Sequence, residues 1–300
     1  MRKIIPGEIE IKDLHQFMVG AIAPRPIAFV STIDKNGVAN IAPYSFFNAF
    51  SSNPPVLVFS SNRRVDGNTT KDTLHNVKEN QEVVINVVNY AIVRQMALAS
   101  ISYPAEVSEF SKSGLTPLAS DMVAPFRIKE SPVQFECKVS EIITLGEHGG
   151  AGHLIICQVL QIHIDEEVID DNNRIDPHKI DLVGRLGRAH YVRASGDALF
   201  DVYQAPSKLA LGFDKLPTHI LQSTVFTGND LAQFAGRLEY PLSETVEELM
   251  EMDDSIANIL AAHEDKQELK TVLHKAAKQA LEQKKIDRAF AIAMVFEFIN

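Results

Sequence analysis

The sequence contains no tryptophan. An indole platform for stacking a ligand or a partner is therefore excluded. Its two cysteines, Cys137 and Cys157, are too few for a disulfide framework. Each sits inside an apolar, strand-like run, so both read as buried thiols in a reducing compartment. No apolar run reaches transmembrane length, and the first residues lack the charged-then-apolar layout of a signal peptide. The cytoplasm is the expected location, with no membrane partner. Positive charge is in deficit, with 29 Lys and Arg against 39 Asp and Glu and a net charge of −10. Nucleic acid, whose phosphates need a basic face, is not an expected partner. The glycine fingerprint of dinucleotide-binding folds is missing too, as are internal repeats and low-complexity tracts.

What is present is an ordinary globular composition: 300 residues, 45% hydrophobic and 23% charged. That length allows one large domain, or a medium one with a sizeable extension. Residues 27–33 read as a strand, and Asp34-Lys35-Asn36-Gly37 as a hairpin turn. Residues 38–47 read as the returning strand. Asn53-Pro54-Pro55 leads into a further strand over 56–61, with Pro55 at its entrance because proline cannot donate inside a sheet. A helix is expected to begin near Thr69 or Thr70, with Asp72 completing a capping box to Thr69. Residues 82–88 form another strand. Asn89 is placed to cap a helix through Ile92, Met96 and Ala99. Residues 102–131 read as a long loop-rich excursion of the kind that serves as a lid or binding loop. Val133, Phe135, Cys137 and Val139 alternate with polar residues, which predicts a half-buried antiparallel strand over 133–145. Its partner runs over 153–165, beyond a glycine-rich turn.

The expected fold is mainly β with helices, a barrel that hides its strand edges. After about residue 205 the pattern becomes helical. Asp265 and Glu268 form a capping box, and Leu269, Val272, Leu273, Ala276, Ala277, Ala280 and Leu281 recur at helical spacing. The domains are therefore drawn as 1–205 and 206–300.

Three polar clusters fall between Pro24 and Thr73: Arg25 with Ser31 and Thr32; Asn40 through Phe47; and Ser60-Ser61 with Lys71-Asp72-Thr73. A phosphate monoester needs converging donors. A helix start supplies free N–H groups and a favourable dipole, a lysine supplies charge, and hydroxyls complete the shell. Lys71-Asp72-Thr73 with Ser60 and Ser61 fits that description. It also fits a plain helix cap with a solvated lysine, and these few residues leave both readings open. In Asn40–Phe47, Ala42-Pro43 interrupts regular pairing and frees backbone amides for a flat heteroaromatic ring. Asn40 and Ser45 are placed to bond a ring edge, while Phe46 and Phe47 face opposite sides and at least one belongs to the core. No metal site is expected. His148, His153, Cys137 and Cys157 match no standard zinc spacing, and Glu166-Glu167 and Asp170-Asp171 read as solvated turns.

These blocks, in this order, resemble the flavin reductase-like family. They are Arg25-Pro26-Ile27-Ala28, Val30-Ser31-Thr32, Gly37, Asn40 to Phe47, Pro54-Pro55, Phe59-Ser60 and Lys71-Asp72-Thr73. The match continues through Glu109-Phe110, Gly114-Leu115-Thr116, Glu130-Ser131-Pro132, Phe135-Glu136-Cys137 and Gly184-Arg185-Leu186-Gly187, and covers roughly residues 15–195. The resemblance implies an FMN-binding split β-barrel carrying a C-terminal helical extension. FMN would be held non-covalently, its phosphate at Lys71, Thr73 and the Ser60-Ser61 strand end. Its rings would lie against Ser31, Thr32 and the Asn40–Ser45 segment, with Asn40, Ala42, Pro43, Tyr44 and Ser45. Arg25 and Asp72 also count among the implied cofactor-binding residues. A homodimer with the flavin at its interface is implied. His153 matches a histidine near flavin and nicotinamide, and reads equally as a structural histidine at a strand start. Gly187-Arg188-Ala189 departs from the family's usual glycine pair. Because the flavin carries the redox chemistry, no catalytic side chain is expected. The implied activity is an NAD(P)H-dependent flavin reductase, with NADH or NADPH as donor. The alternatives are a flavoredoxin-like carrier serving a protein partner and a flavin-binding protein without turnover.

Overall fold

A computed structural model describes residues 1–202 and 209–299. The chain divides into two compact units, Met1–Phe200 and Asp201–Asn300. The boundary expected between residues 205 and 206 lies outside the described residues.

In the first unit, a helix α1 (Ile11–Ala21) precedes five strands: β1 (Ala28–Ile33), β2 (Ala39–Tyr44), β3 (Phe47–Ser52), β4 (Pro55–Ser60) and β5 (Glu82–Val87). The helix α2 (Asp72–Asn80) lies between β4 and β5. The helix α3 (Val93–Leu98) forms where expected, while a short helix α4 (Glu109–Ser113) and a small ribbon, β6 (Pro117–Leu118) with β7 (Arg127–Ile128), occupy residues 102–131, expected as a loop-rich excursion. The long hairpin β8 (Val133–Thr144) and β9 (His153–Ile164) follows. Last come α5 (Pro177–Ile180) and a hairpin of β10 (Val183–Arg185) with β11 (Tyr191–Arg193).

The main sheet is antiparallel throughout its pairs, in the order β2-β1-β5-β8-β9-β4-β3. β2 and β3 are its two edges, yet only Ser45 and Phe46 separate them in the chain. Laid flat, seven strands would put those edges about 29 Å apart, at ~4.8 Å per strand step. The chain from Tyr44 to Phe47 reaches only about 10 Å. The sheet must therefore curl until its edges meet, and the β3–β4 ladder runs on up to the break, with Ser60 N–H donating to Phe46 C=O at 2.8 Å. This is a split barrel. The expectation of one unbroken strand over 38–47 is corrected here: the strand breaks at Ser45-Phe46, and Phe47 starts a new strand at the opposite edge.

Inward-facing residues fill the barrel, among them Ala28, Val30, Tyr44, Phe59, Leu74, Ile85, Cys137, Ile155 and Cys157. Both cysteines are buried and unpaired, and burial raises both thiol pKa values. On the other side of β1 and β2, Phe29 and Ile41 pack against Met96, Phe110 and Ile128. The turn after β1 forms as its residues dictate: the Asp34 carboxylate accepts from the N–H groups of Asn36 and Val38, and Gly37 takes φ +84°. Asn89 accepts from Ile92 N–H ahead of α3, as its position suggests.

The second unit is helical, with α6 (Thr218–Leu221), α7 (Gly228–Ala235), α8 (Ser243–Met252), α9 (Asp254–Ala262), α10 (Lys266–Glu282) and α11 (Ile286–Phe298). Asp265 caps α10 by accepting from Gln267 and Glu268 N–H, and Thr227 with Asp230 forms a full capping box on α7. The apolar stripes of these helices meet around Ile220, Phe234, Val246, Ile256, Leu273, Phe290 and Val295. Among the described residues, no helix is long and apolar enough to cross a membrane.

Candidate functional site

The barrel seam opens into a hollow of about 330 Å³. Its wall is built by Pro43, Tyr44, Ser45 and Phe46 at the break between β2 and β3, by Ser60 at the end of β4 and Asn62 beyond it, by Lys71 before α2, by His15 and Val19 of α1, and by Arg185, Leu186 and Arg188 of the β10–β11 hairpin. Lys71 also lines a neighbouring cleft of about 40 Å³, with Asn40, Ala42, Arg64, Asp72, Thr73 and Ser102 around it. One lysine thus joins a ring-sized space to a narrow pocket at a helix start.

The start of α2 differs from the expected capping box. The helix begins at Asp72 with Lys71 at the cap position, and no side chain caps it. Thr69 instead accepts from the Arg64 guanidinium at 3.1 Å. That correction matters, because an uncapped first turn leaves N–H groups free for a ligand. The Lys71 ammonium lies over the Tyr44 ring, 4.7 Å from its centre. Burial and the like charge of Arg64 both lower its pKa, so an anion arriving between them would relieve both.

Tyr44 is 5% exposed and packs its ring on Phe59 at 5.1 Å. Its hydroxyl lies near those of Thr73 and Ser61, while burial pushes its pKa up to about 12. Even so, Tyr44 Oη and Ser61 Oγ are buried without a hydrogen bond of proper geometry. Buried polar atoms are seldom left unpaired, and these two stand beside the uncapped helix. The donor set is what a phosphorylated, flat ligand requires: an amide cluster, a cation, hydroxyls and an adjoining hollow. FMN therefore fits the residues present.

The other predicted residues divide by position. Asn40, Ala42, Asp72 and Thr73 line the cleft, and Pro43, Ser45, Ser60 and Arg25 line the hollow. Asn40 and Thr32 also form a buried network: Asn40 Nδ2 donates to Thr32 Oγ1 at 3.1 Å and to Thr73 Oγ1 at 3.0 Å, and Asn76 Nδ2 donates to the same Thr32 oxygen. That network fastens β1 and β2 to α2. Ser31 is wholly buried with its hydroxyl unpartnered, and it lines neither space. Arg25 holds architecture in place, donating to the carbonyls of Val19 and Ile22 at 2.6 Å and of Leu186 at 3.2 Å. His153 is buried at the start of β9. Its Nδ1 contacts Thr144 Oγ1 at 3.0 Å, its Nε2 is unpartnered, and it lines neither space.

Arg64, Arg185 and Arg188 are the cations that sequence reasoning did not assign to the site. Arg64 follows the Ser60-Ser61 strand end closely in the sequence, but only the folded loop turns it toward Lys71. Asp121, Glu136 and His163 are the one group of close potential metal ligands among the described residues. Glu136 already accepts from Asp121 and Met122 N–H and contacts His163 Nε2 at 2.6 Å, which marks a structural polar network.

Fold and site together define a class: a split-barrel protein with a phosphate-type donor set at its seam. Residues 20–178 match the flavin reductase like domain. The chain belongs to the flavin reductase-like family. It is 40% identical over 200 residues to an uncharacterized protein of Aquifex aeolicus (strain VF5), covering 67% of this chain and all of that one. Nitrilotriacetate monooxygenase component B from Bacillus cereus superposes with a TM-score of 0.62 at 31% identity, covering 68% of this chain and 98% of that one. The 2-nitrobenzoate 2-nitroreductase of Pseudomonas fluorescens does so with a TM-score of 0.59 at 27% identity, covering 69% and 99%.

Proposed function

We propose that the barrel unit binds FMN non-covalently and acts as an NAD(P)H-dependent flavin reductase, as a homodimer. The observation that carries this reading is the uncapped start of α2, where Lys71 and the orphaned hydroxyls of Tyr44 and Ser61 meet beside the seam hollow. In this reading Lys71, the free amides of α2 and Thr73 hold the phosphate, with Arg64 adding charge. Pro43 to Phe46 and Ser60 line the space for the rings. When bound, FMN supplies the hydride and electron transfer. The chain's own part is to bind, orient and exclude water. Tyr44, with its pKa raised to about 12, stays protonated at neutral pH and able to donate. The redox character of two similar proteins, a monooxygenase component and a nitroreductase, supports the same reading.

The homodimer reading is supported by a second hollow, of about 500 Å³, lined mainly by apolar side chains of α1, β3 and β4 with Leu145 and Leu154. Phe50 and Leu145 on its rim are 68% and 63% exposed. A second copy of the chain would cover them.

The purified protein is expected to be yellow and to release FMN on denaturation. Loaded with FMN, it should oxidise NADH or NADPH in the presence of free flavin, and sedimentation should give twice the chain mass. A colourless protein that takes up no added FMN would refute the reading. An FMN-bound protein inert to both nucleotides would instead indicate a carrier reduced by a protein partner.

A further inference from the structure

The seam hollow is lined by Arg25, Lys71, Arg185 and Arg188 and by no aspartate or glutamate. This stands out in a chain whose acids outnumber its bases by 39 to 29. Two of the four cations have evident roles. Arg25 is committed to backbone carbonyls, and Lys71 faces the start of α2. Arg185 and Arg188 remain, both on the β10–β11 hairpin.

That hairpin is held firmly. Arg25 and Arg185 exchange backbone hydrogen bonds at 2.9 and 2.8 Å, and Leu186 and His190 are joined by a third at 3.0 Å. A Cβ on Gly184 would lie 2.8 Å from Pro24 Cβ, and one on Gly187 would lie 3.2 Å from Gly20 Cα, so the backbone is pressed close against α1 and its exit. The Arg185 guanidinium stacks on Tyr191, 4.5 Å from the ring centre, and donates to the carbonyl of His190. Arg188 sits at the turn with φ +55°, a left-handed conformation uncommon outside glycine, asparagine and aspartate. Its side chain is exposed, lines the hollow, and has no hydrogen bond or ion pair among the described residues. Arg185 also lowers the pKa of Arg25 through like charge, second to burial. The hollow thus holds an excess of positive charge with no carboxylate on its wall.

We infer that Arg188, backed by Arg185, makes the ring end of the hollow selective for a second ligand that carries an anionic group, a phosphate or a carboxylate, beside the flavin. This rests on the flavin reading above. Two sources share that chemistry: the 2′-phosphate of a nicotinamide dinucleotide donor, and the carboxylate of an aromatic acceptor. Arg188 would be a specificity residue for whichever of them enters. Arg–phosphate and Arg–carboxylate contacts are frequently bidentate, which suits an exposed guanidinium on a fixed turn.

The test uses the full chain loaded with FMN and calorimetric titration with non-reacting probes. One arm compares NADP⁺ with NAD⁺, the other benzoate with benzyl alcohol. Arg188→Asn removes the charge and keeps a residue that tolerates the left-handed turn, and Arg188→Lys restores charge. In at least one arm the wild type should prefer the anionic probe. Arg188→Asn should then lower that preference by about tenfold or more, since it removes at least one hydrogen bond to a charged group. Arg188→Lys should recover part of it, and FMN content should be the same in all three. The arm that responds identifies the source. Equal preference in both arms, or a preference that Arg188→Asn leaves intact, overturns the inference. Loss of FMN in Arg188→Asn would assign Arg188 to the flavin and also overturn it, with the flavin reading left standing. A wild type that takes up no FMN refutes the flavin reading and this inference together.

Discussion

His274 on α10 is 1% exposed, and acid is the perturbation that tests how it is held. Its Nδ1 contacts Ser223 Oγ at 2.8 Å, and its Nε2 contacts Nδ1 of His219 at 3.3 Å. The two imidazoles stack at 5.5 Å, and Phe226 packs on His274 at 4.8 Å. Burial lowers its pKa to about 4 from the ordinary 6.5, helped by the like charges of His219 and Lys270. The group is therefore neutral when folded and protonates readily when unfolded. Its contribution is complete above pH 6.5 and is lost as pH falls toward 4, because the unfolded chain takes a proton that the folded one refuses. At ~1.4 kcal/mol per unit of pH, that gap amounts to about 3 kcal/mol, of which about 2 is gone by pH 5. His219 adds in the same direction through its burial, offset by Glu297 at 3.2 Å. Urea unfolding of the full chain followed by circular dichroism, with hydrogen exchange read over residues 209–299, measures the loss between pH 7 and 5. His274→Gln should be less stable at pH 7 and lose less stability on acidification. Equal pH slopes in wild type and variant would refute the assignment.

Lys71→Met should weaken FMN binding by about 10- to 100-fold, the loss of a charged contact to phosphate, as flavin fluorescence titration would read. Its apo stability should hold or rise, since Lys71 is kept against both burial and Arg64. Tyr44→Phe should change apo stability by less than about 1 kcal/mol, because the hydroxyl it removes has no partner, yet should weaken FMN binding. Loss of apo stability with unchanged binding would show that the hydroxyl is structural. Gly184→Ala should cost about 1–3 kcal/mol in urea unfolding, since its Cβ would meet Pro24 Cβ at 2.8 Å and Val192 Cγ1 at 3.2 Å.

Local chemistry wrote much of this molecule into its sequence. The alternation in Val133–Val139, the Asn-Gly turn after β1, proline at the head of β4 and the Asp265 cap each depend on residues within a few positions of one another. Each element appears in the fold where the sequence puts it, except that β8 is not half-buried along this stretch: Gln134 and Glu136 on its polar face are buried as well. The ordered blocks from Arg25 to Gly187 were enough to indicate the family and the identity of the barrel. Lys71 and Thr73 at the start of a helix were legible as well.

Contacts between distant segments decided the rest. The break at Ser45-Phe46 is invisible in the sequence, because nothing local distinguishes a strand that continues from one that crosses to the far edge of a closing sheet. Thr69 has the residues of a helix cap, but Arg64 takes its hydroxyl and leaves α2 open. Arg188 resembles any surface arginine until the β10–β11 hairpin, pressed against α1, brings it to the seam. Strand period, turns and caps follow from backbone sterics over a few residues, so the sequence determined them alone. Which charges share a cavity depends on chain segments more than a hundred residues apart meeting in space, and only the folded barrel fixes that.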